Sequence, residues 1–213
     1  MRDRFFFPLA GVVAGAFVLT AMQPFAYRAP TGPVSGGGRN AEDITVKGEE
    51  LHRFRPGNYD DIAIVKPSGG GDPVVRITRL AEETRDDQRD IPAAGPHLVL
   101  AEDVENAMES RPIEVEVVAR ASGDFAASQF QVDYYAKPDG ESGWQTFNLT
   151  PNWQAYKLEF DVPRIGPNQG YDYLGIRPVA PDKRRVMEVQ SVRIHAMGPK
   201  HDPNAKPAPK QPN

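Results

Sequence analysis

The stretch GWQTFNLTPNWQAYKLEFDVP, residues 143–163, decides the fold class of this chain. On each side of its Pro-Asn turn, apolar residues alternate with polar ones, which is the period of a β-strand with one buried face. The inward residues are Phe147 and Leu149 before the turn and Tyr156, Leu158, Phe160 and Val162 after it. The stretch also holds both tryptophans of the chain, Trp144 and Trp153. The first functional question is therefore whether either indole ring faces a ligand.

The same alternation continues outward from this stretch in both directions. Clear strands are predicted at 113–121, 128–136, 144–149, 153–162, 171–178 and 187–196. The last of them requires a β-bulge near Gln190–Ser191 to keep its apolar residues on one face. Weaker strand patterns lie upstream at 51–54, 60–67, 74–80 and 97–101, with a loop at 81–90 and a helical turn at 101–108. Short strands separated by turn signals predict an all-β sandwich or barrel.

The composition agrees with an all-β domain that has many turns and loose ends. Glycine and proline contribute 19 and 21 of the 213 residues, and 39% of the chain is hydrophobic. The absence of cysteine excludes disulfides and thiol catalysis. The net charge is −4, and residues 40–197 alone carry −9, because residues 1–39 carry +3 and residues 198–213 carry +2. An acidic domain repels phosphate groups, so we expect no nucleic-acid partner.

The two ends of the chain differ from its middle. Arg2 and Arg4 precede 18 residues without a charge, Phe5 to Met22, which predicts either an uncleaved membrane anchor or a cleaved signal peptide. An anchor would span the inner membrane once, with the N-terminus cytoplasmic and the domain periplasmic, whereas cleavage would give a secreted domain. The predicted organisation is an anchor or signal segment at 1–27, a Gly/Pro/Ser linker at 28–41, a β-sandwich at 42–198 and a disordered Pro/Lys-rich tail at 199–213.

Several motifs occur in a familiar order in the second half of the chain. They are VEVVARAS, QFQVDYY, the stretch quoted above, YLGIRP and MEVQSVRI. This order resembles the galactose-binding-like jelly roll and, within it, the carbohydrate-binding modules of families four and nine. The resemblance covers residues 96–197 and implies a jelly-roll β-sandwich of two antiparallel sheets that binds a sugar without catalysis. The same fold also has protein-binding and architectural members.

The resemblance also implies how the strands divide between the two sheets. One sheet would contain 113–121, 153–162 and 187–196, and the other would contain 128–136, 144–149 and 171–178. In the resembled modules the outer, concave face of the second sheet binds the ligand. Alternation places on that face Gln131, Asp133, Tyr135, Trp144, Thr146, Asn148, Tyr171, Tyr173 and Arg177. The ligand-binding candidates among them are Gln131, Asp133, Tyr135, Trp144, Asn148, Tyr173 and Arg177.

These residue types suit a sugar. An aromatic ring stacks on the apolar face of a pyranose, and amide, carboxylate and guanidinium groups bond its hydroxyls. Trp144 is either such a stacking platform or a cover for the open sheet. Trp153 begins a strand of the other sheet and is interpreted as structural.

No motif in the sequence points to catalysis, so the protein is predicted not to be an enzyme. Nothing in the sequence fixes the pair of acids that glycoside hydrolysis needs, although Asp133 with Glu141 or with Asp172 is conceivable. The four histidines lack the spacing of a zinc site. No cofactor is indicated. A structural calcium ion is common in the resembled fold, and its oxygen ligands could come from Asp60-Asp61 or from Asp182 and Glu188.

Two functions remain open at this point. The first is a membrane-anchored, exported carbohydrate-binding module that holds a polysaccharide or oligosaccharide. The second is an architectural or protein-binding jelly-roll subunit of an envelope polysaccharide or secretion complex, with an envelope protein as its partner. The exposure and clustering of the aromatic residues on the second sheet discriminate between them.

Overall fold

The computed structural model describes Val12 and residues 29–37, 40–57, 60–67, 70–79, 92–136, 140–164, 170–179 and 185–201. Within these residues the chain forms a sandwich of two antiparallel β-sheets. The strands are β1 Asp43–Lys47, β2 Asp60–Val65, β3 Val74–Arg79, β4 His97–Val99, β5 Arg111–Ala121, β6 Gln129–Ala136, β7 Gly140–Glu141, β8 Gln145–Asn148, β9 Gln154–Val162, β10 Tyr173–Val179 and β11 Val186–Ala196. A short α-helix, α1 (Glu102–Met108), and two 3-10 helices, Gly48–Arg53 and Pro92–Ala94, lie between strands.

The division of the strands between the sheets is the predicted one. The six-stranded sheet has the order β2-β3-β11-β5-β9, and β1 also pairs with β11. The five-stranded sheet has the order β4-β10-β6-β7, and β8 also pairs with β6. The two strands of the quoted stretch, β8 and β9, therefore belong to opposite sheets, as inferred from the jelly-roll resemblance.

The register of the closing strand confirms the predicted bulge. Val189 of β11 lies opposite Ala119 of β5, but Ser191 lies opposite Val118. Gln190 is therefore the extra residue on the bulged strand. Because of this extra residue, β11 keeps its apolar side chains in the core on both sides of the irregularity.

The inward residues of the quoted stretch meet in the core between the sheets. Phe147 comes from the five-stranded sheet and Tyr156 from the six-stranded sheet, and both rings contact Phe130 of β6. The Phe130 ring centroid lies 5.4 Å from that of Phe147 and 4.9 Å from that of Tyr156, the latter edge-on. Such tilted and edge-on contacts are the favoured geometry of aromatic pairs, so the turn at 150–153 joins two strands that pack on each other.

The predicted strand at 51–54 is wrong, since this segment belongs to the 3-10 helix Gly48–Arg53. Gly48 has a φ of +57°, which ends the extended backbone of β1. Leu51 then provides the one apolar anchor of the segment and is completely buried. Arg53 forms an ion pair with Glu50 one turn earlier. A short apolar-polar run cannot by itself distinguish a strand from a helical turn.

Part of the predicted linker packs on the sandwich. Val34 lies in the core, its amide donates to the carbonyl of Val99, and its own carbonyl accepts from Ala101. The next residues are held by Asp103, which accepts hydrogen bonds from the Ser35 hydroxyl and the Gly36 amide. The predicted Gly/Pro/Ser linker at 28–41 therefore contains a packed segment at 33–36. A single valine inside a Gly/Pro-rich run is too weak a signal to reveal this contact.

Replacing Val34 with Ala is expected to lower the free energy of unfolding by about 2 kcal/mol, because it removes buried methyl groups from a packed site. Urea denaturation of the full-length protein measures the change. Val65→Ala, on the half-buried edge strand β2, is the matched control and should lose clearly less. Equal losses in the two variants would contradict the packing of the 33–36 segment.

The membrane and tail predictions fall almost entirely outside the described residues. In the part of the chain that the structure describes, no helix has the length and apolar character needed to span a bilayer. The predicted anchor or signal segment at 1–27, apart from Val12, is not covered by this finding. At the other end, residues 202–213 are likewise outside the description, while Lys200 bonds the Asn106 carbonyl at the end of α1.

Candidate functional site

The candidate site is the outer face of the five-stranded sheet. The register places Gln131 of β6 between Thr146 of β8 and Arg177 of β10. One row further along, Gln129 lies opposite Asn148. Because alternate residues of each strand point to the same face, these five side chains form one continuous surface. We call the set Gln129, Gln131, Thr146, Asn148 and Arg177 the polar strip.

Hydrogen bonds orient the side chains of the polar strip. The Gln131 amide nitrogen donates to the Thr146 hydroxyl at 3.1 Å, and its carbonyl accepts from Nε of Arg177 at 3.0 Å. The Gln129 amide donates to the Asn148 carbonyl oxygen at 2.9 Å. Each amide and hydroxyl has further donor or acceptor capacity beyond these bonds. Thr146 and Asn148 are exposed and the other three are half-buried, so the strip can bond a ligand placed along it.

Trp144 lies beside the polar strip, on the same face. It follows Gly143, whose φ of +69° turns the chain back over the sheet. The indole lies over Gly175 of β10, where an added Cβ would come within 2.7 Å of Cη2 of Trp144 and 2.7 Å of Cβ of Pro92. The Arg177 guanidinium carbon lies 3.8 Å from the indole centroid, a cation–π contact. The predicted outward placement of Trp144 is confirmed, but the ring contacts the sheet and one of its faces is covered.

Asp133 lies on the predicted face but is covered by neighbouring segments. It stands opposite Gly175 in the sheet, beneath the segment that carries Ser142 and Trp144, and is completely buried. The Ser142 hydroxyl donates to Oδ1 of Asp133 at 3.0 Å, whereas Oδ2 has no hydrogen-bond partner among the described residues. Burial raises the pKa of Asp133 to about 6, against the Ser142 hydrogen bond, which lowers it. The prediction of an outward carboxylate is therefore wrong in one respect, since Asp133 is not open to solvent.

The remaining predicted site residues lie at the other end of the same face. Tyr135 and Tyr173 are directly opposite each other on β6 and β10, and both are half-buried. The Tyr173 ring meets the His97 ring edge-on, with the centroids 5.5 Å apart. Tyr171 precedes β10 and is 54% exposed. The predicted residues on β6, β8 and β10 thus share one face, but Trp144 and Pro92 cover its centre, between the tyrosine end and the polar strip.

Three groups at this face were not selected from the sequence. Gln129 follows from the same alternation that selects Gln131, so a local signal for it exists. Pro92 and Ser142, which cover the centre, have no such signal, because their positions over the sheet depend on the paths of two loops. Sequence alternation identifies the residues of a face but not the segments that fold across it.

The outer face of the six-stranded sheet has a different chemistry. Glu188 of β11 is buried between two arginines: Oε1 accepts from Arg76 at 2.8 Å and Oε2 accepts from Arg120 at 2.7 Å. The Arg120 guanidinium carbon lies 4.4 Å from the centroid of the half-buried Trp153. Trp153 is therefore on the sheet to which the sequence assigned it, packed against an ion-paired arginine. This face is organised by internal charge pairs.

A buried acidic group lies at one end of the sandwich, away from both faces. Asp172 accepts a hydrogen bond from the Tyr134 hydroxyl at 3.0 Å, and its amide donates to Glu105 of α1 at 2.7 Å. All three side chains are buried. Burial, followed by the charge of Glu105, raises the pKa of Asp172 to about 7. Since neither Asp172 nor Asp133 faces an open cleft, the two do not form the exposed acid pair of a glycosidase.

The described residues contain no group of three or more His, Asp or Glu side chains that could hold a metal ion. Of the proposed calcium ligands, Glu188 uses both oxygens for arginines, whereas Asp182 and the side chain of Asp60 lie outside the description. The calcium site stays a prediction.

No protein-family model and no curated protein matches the chain. The structure is similar to the CBM22-2 xylan-binding domain from Paenibacillus barcinonensis Xyn10C, with a TM-score of 0.51 and 11% identity over 72% of this chain and 99% of that domain. It is also similar to the C-terminal family 22 carbohydrate binding module of Clostridium thermocellum Xyn10B, with a TM-score of 0.48 and 13% identity over 78% and 98% of the two chains. A CBM4 structure gives a TM-score of 0.41 and 12% identity over 77% and 93%.

The similarity to the CBM22-2 domain establishes the fold. The match spans 43% of a tandem CBM22-1–CBM22-2 structure and 99% of the single CBM22-2 domain. It has the jelly-roll fold of carbohydrate-binding modules, as the order of motifs in its sequence implied. At such low identity the ligand of a similar structure does not transfer with the fold.

Proposed function

We propose that this chain is a non-catalytic carbohydrate-binding module that binds a polysaccharide on the outer face of its five-stranded sheet. The observation that carries the proposal is the polar strip: two glutamines, an asparagine, a threonine and an arginine form a hydrogen-bonded row beside Trp144. A row of this kind bonds successive hydroxyls along a sugar chain. The CBM22-2 domain, whose fold this chain shares, is a xylan-binding domain, which supports a polysaccharide as the ligand class.

The proposed setting is the bacterial cell envelope. The charged start and the uncharged run from Phe5 to Met22 support an anchor in the inner membrane with the domain in the periplasm. A cleaved signal peptide would instead place the same domain outside the cell. In either case the module would be exported, where it can meet a polysaccharide.

An architectural or protein-binding role is the second candidate function. It is favoured by the closed centre of the site, where Trp144 packs on Gly175 and Asp133 is buried. In this role the polar strip and the exposed Tyr171 would contact an envelope protein. The absence of binding to any polysaccharide, together with a stable protein partner after mild extraction, would favour this function over the first.

The binding proposal is tested with Gln131→Ala, which removes the residue that connects Thr146 to Arg177. Affinity for the polysaccharide is expected to fall about tenfold, which corresponds to about 1.4 kcal/mol, because one side chain supplies two bonds of the strip. Affinity electrophoresis of the full-length protein in gels containing xylan, glucan, mannan or galactan measures the change.

The control for this experiment is Gln154→Ala, the same substitution at an exposed position of β9 in the other sheet. It should migrate like the unaltered protein. Retardation that Gln131→Ala leaves unchanged would place the binding site elsewhere on the molecule. No retardation by any of the polymers, with the protein folded, would overturn the proposed function.

A further inference from the structure

The centre of the candidate site combines two features that the polar strip does not explain. One is the buried Asp133, whose Oδ2 has no hydrogen-bond partner among the described residues although the other carboxylate oxygen is bonded. The other is the indole of Trp144, which occupies the flattest part of the face, over a glycine. A buried unpaired carboxylate oxygen is unfavourable, and native proteins rarely retain one without a reason.

Gly175 makes the position of Trp144 suitable for a ligand as well as for an indole. With no side chain on β10 at this point, a flat ring can approach the backbone closely, which any larger residue would prevent. A pyranose ring has a similar flat apolar face. The same position borders Arg177 and Gln131 of the polar strip and lies next to Asp133, so a sugar there would meet polar groups at its edges.

The local backbone allows Trp144 to move without disturbing the sheet. Ser142 is fixed, because its amide donates to the Tyr134 carbonyl and its hydroxyl bonds Asp133. Strand β8 is fixed from Gln145 onward by its pairing with β6. Only Gly143 and Trp144 lie between these two anchors, and Gly143 has a positive φ. The Gly143 amide also hydrogen-bonds Asp133, so the movement falls to Trp144. A rotation at Trp144 would lift the indole from Gly175, with loss of its contact to Arg177, while the Gly143 amide and both anchors stay in place.

We propose that the structure shows the site closed, and that a bound polysaccharide displaces Trp144 from Gly175 and brings one hydroxyl to the unpaired Oδ2 of Asp133. This inference rests on the proposed function and refines it. Trp144 is then an occluding side chain rather than a stacking platform. Asp133 becomes a ligand-binding residue only in the open form, in which a ligand hydroxyl satisfies the oxygen that the closed form leaves unpaired.

Tryptophan fluorescence tests the displacement directly, because the chain has two tryptophans. In the full-length Trp153→Phe variant all indole emission comes from Trp144. Addition of the retarding polysaccharide is expected to shift that emission to longer wavelength and to increase its quenching by acrylamide at least twofold, since the ring moves into water. A shift to shorter wavelength with protection from acrylamide would mean that Trp144 stacks on the sugar and would overturn the inference.

Affinity measurements give a second, independent readout. Trp144→Ala is expected to bind the polysaccharide about threefold more tightly, because the closed form no longer competes with the ligand. Asp133→Asn is expected to weaken binding about tenfold, whereas Asp124→Asn, at an exposed loop position, should not change it. Weaker binding by Trp144→Ala would also overturn the inference.

The outcomes separate this inference from the proposed function. If the polysaccharide retards the protein but Trp144 becomes protected, the module binds sugar and the displacement is wrong. If no polysaccharide retards the protein, both the proposed function and the displacement are overturned.

Discussion

Replacing Asp172 with Asn is expected to make the protein more stable at pH 8, by up to about 4 kcal/mol. Burial and the nearby Glu105 raise the pKa of Asp172 from an ordinary 3.8 to about 7. At pH 8 the folded protein must therefore hold a carboxylate that is far less favourable inside than in the unfolded chain. Asparagine has the same shape, carries no charge and can still accept the hydrogen bond from Tyr134.

The sign of the pH dependence follows from the raised pKa. Between about pH 4 and pH 7 the folded state binds more protons at Asp172 than the unfolded state does, so the free energy of unfolding falls as the pH rises through this window. Asp133 acts in the same direction up to about pH 6, and burial also raises the pKa of Glu105. In the opposite direction, hydrogen bonds from arginines lower the pKa values of Glu188 and Asp43, whose contributions are lost in acid. Burial lowers the pKa of His97, which opposes the fall below about pH 6.5, but the raised carboxyl groups outnumber it. We expect maximal stability between about pH 4 and pH 5.

Thermal and urea unfolding of the full-length protein between pH 5 and pH 8 measure this prediction. The unaltered protein should lose stability over the range, and Asp172→Asn should lose markedly less. Asp161→Asn, at an exposed position of β9, is the control and should follow the unaltered protein. Two results would contradict the prediction: a free energy of unfolding that rises from pH 5 to pH 8, or an Asp172→Asn protein whose free energy of unfolding changes with pH as in the unaltered protein. Either would mean that the pKa of Asp172 is not raised by burial.

Glu188→Ala is expected to destabilise the protein by about 3 kcal/mol. The carboxylate is buried and holds one arginine at each oxygen, so its removal leaves Arg76 and Arg120 facing each other without a counter-charge. Breaking a buried ion pair on one side costs about 3–5 kcal/mol. The lower end applies because the side chains of Arg76 and Arg120 remain 43% and 35% exposed and water can solvate them.

Urea unfolding at neutral pH measures the loss at Glu188. Glu159→Ala is a suitable control, because Glu159 is exposed on β9 in the same sheet. Its effect should stay within about 0.5 kcal/mol, as is usual for surface substitutions. A Glu188→Ala protein as stable as this control would show that the two arginines do not depend on the carboxylate. The six-stranded sheet would then lack the structural role that its charge pairs indicate.

The two outer faces of the sandwich therefore carry different kinds of side chain. The outer face of the six-stranded sheet carries charges that satisfy one another, including the Arg120 that covers Trp153. The outer face of the five-stranded sheet carries amides, a hydroxyl, aromatic rings and the Arg177 guanidinium, which can all contact a sugar. This contrast is consistent with the proposed binding on the outer face of the five-stranded sheet.

Residue alternation was sufficient to predict the main strands and the face on which each of their side chains lies. Because side chains on a strand alternate between two faces, the inward positions of Phe147 and Tyr156 and the outward positions of Gln131 and Arg177 follow from local sequence. The bulge at Gln190 follows for the same reason, since without it the apolar residues of β11 would leave the core. The strand-to-sheet assignment came from the order of the motifs.

Coverage of a face is decided by segments that lie far away in the chain. Asp133 is on the predicted face, yet two segments cover it. One carries Pro92, about 40 residues earlier in the chain, and the other is the loop that carries Ser142 and Trp144. The burial of Val34 depends likewise on Val99 and Ala101. The alternation of residues along a strand does not predict such contacts, because the paths of loops depend on the packing of the whole domain. The sequence thus determined which side chains share a face, and only the tertiary structure decided which of them a ligand can reach.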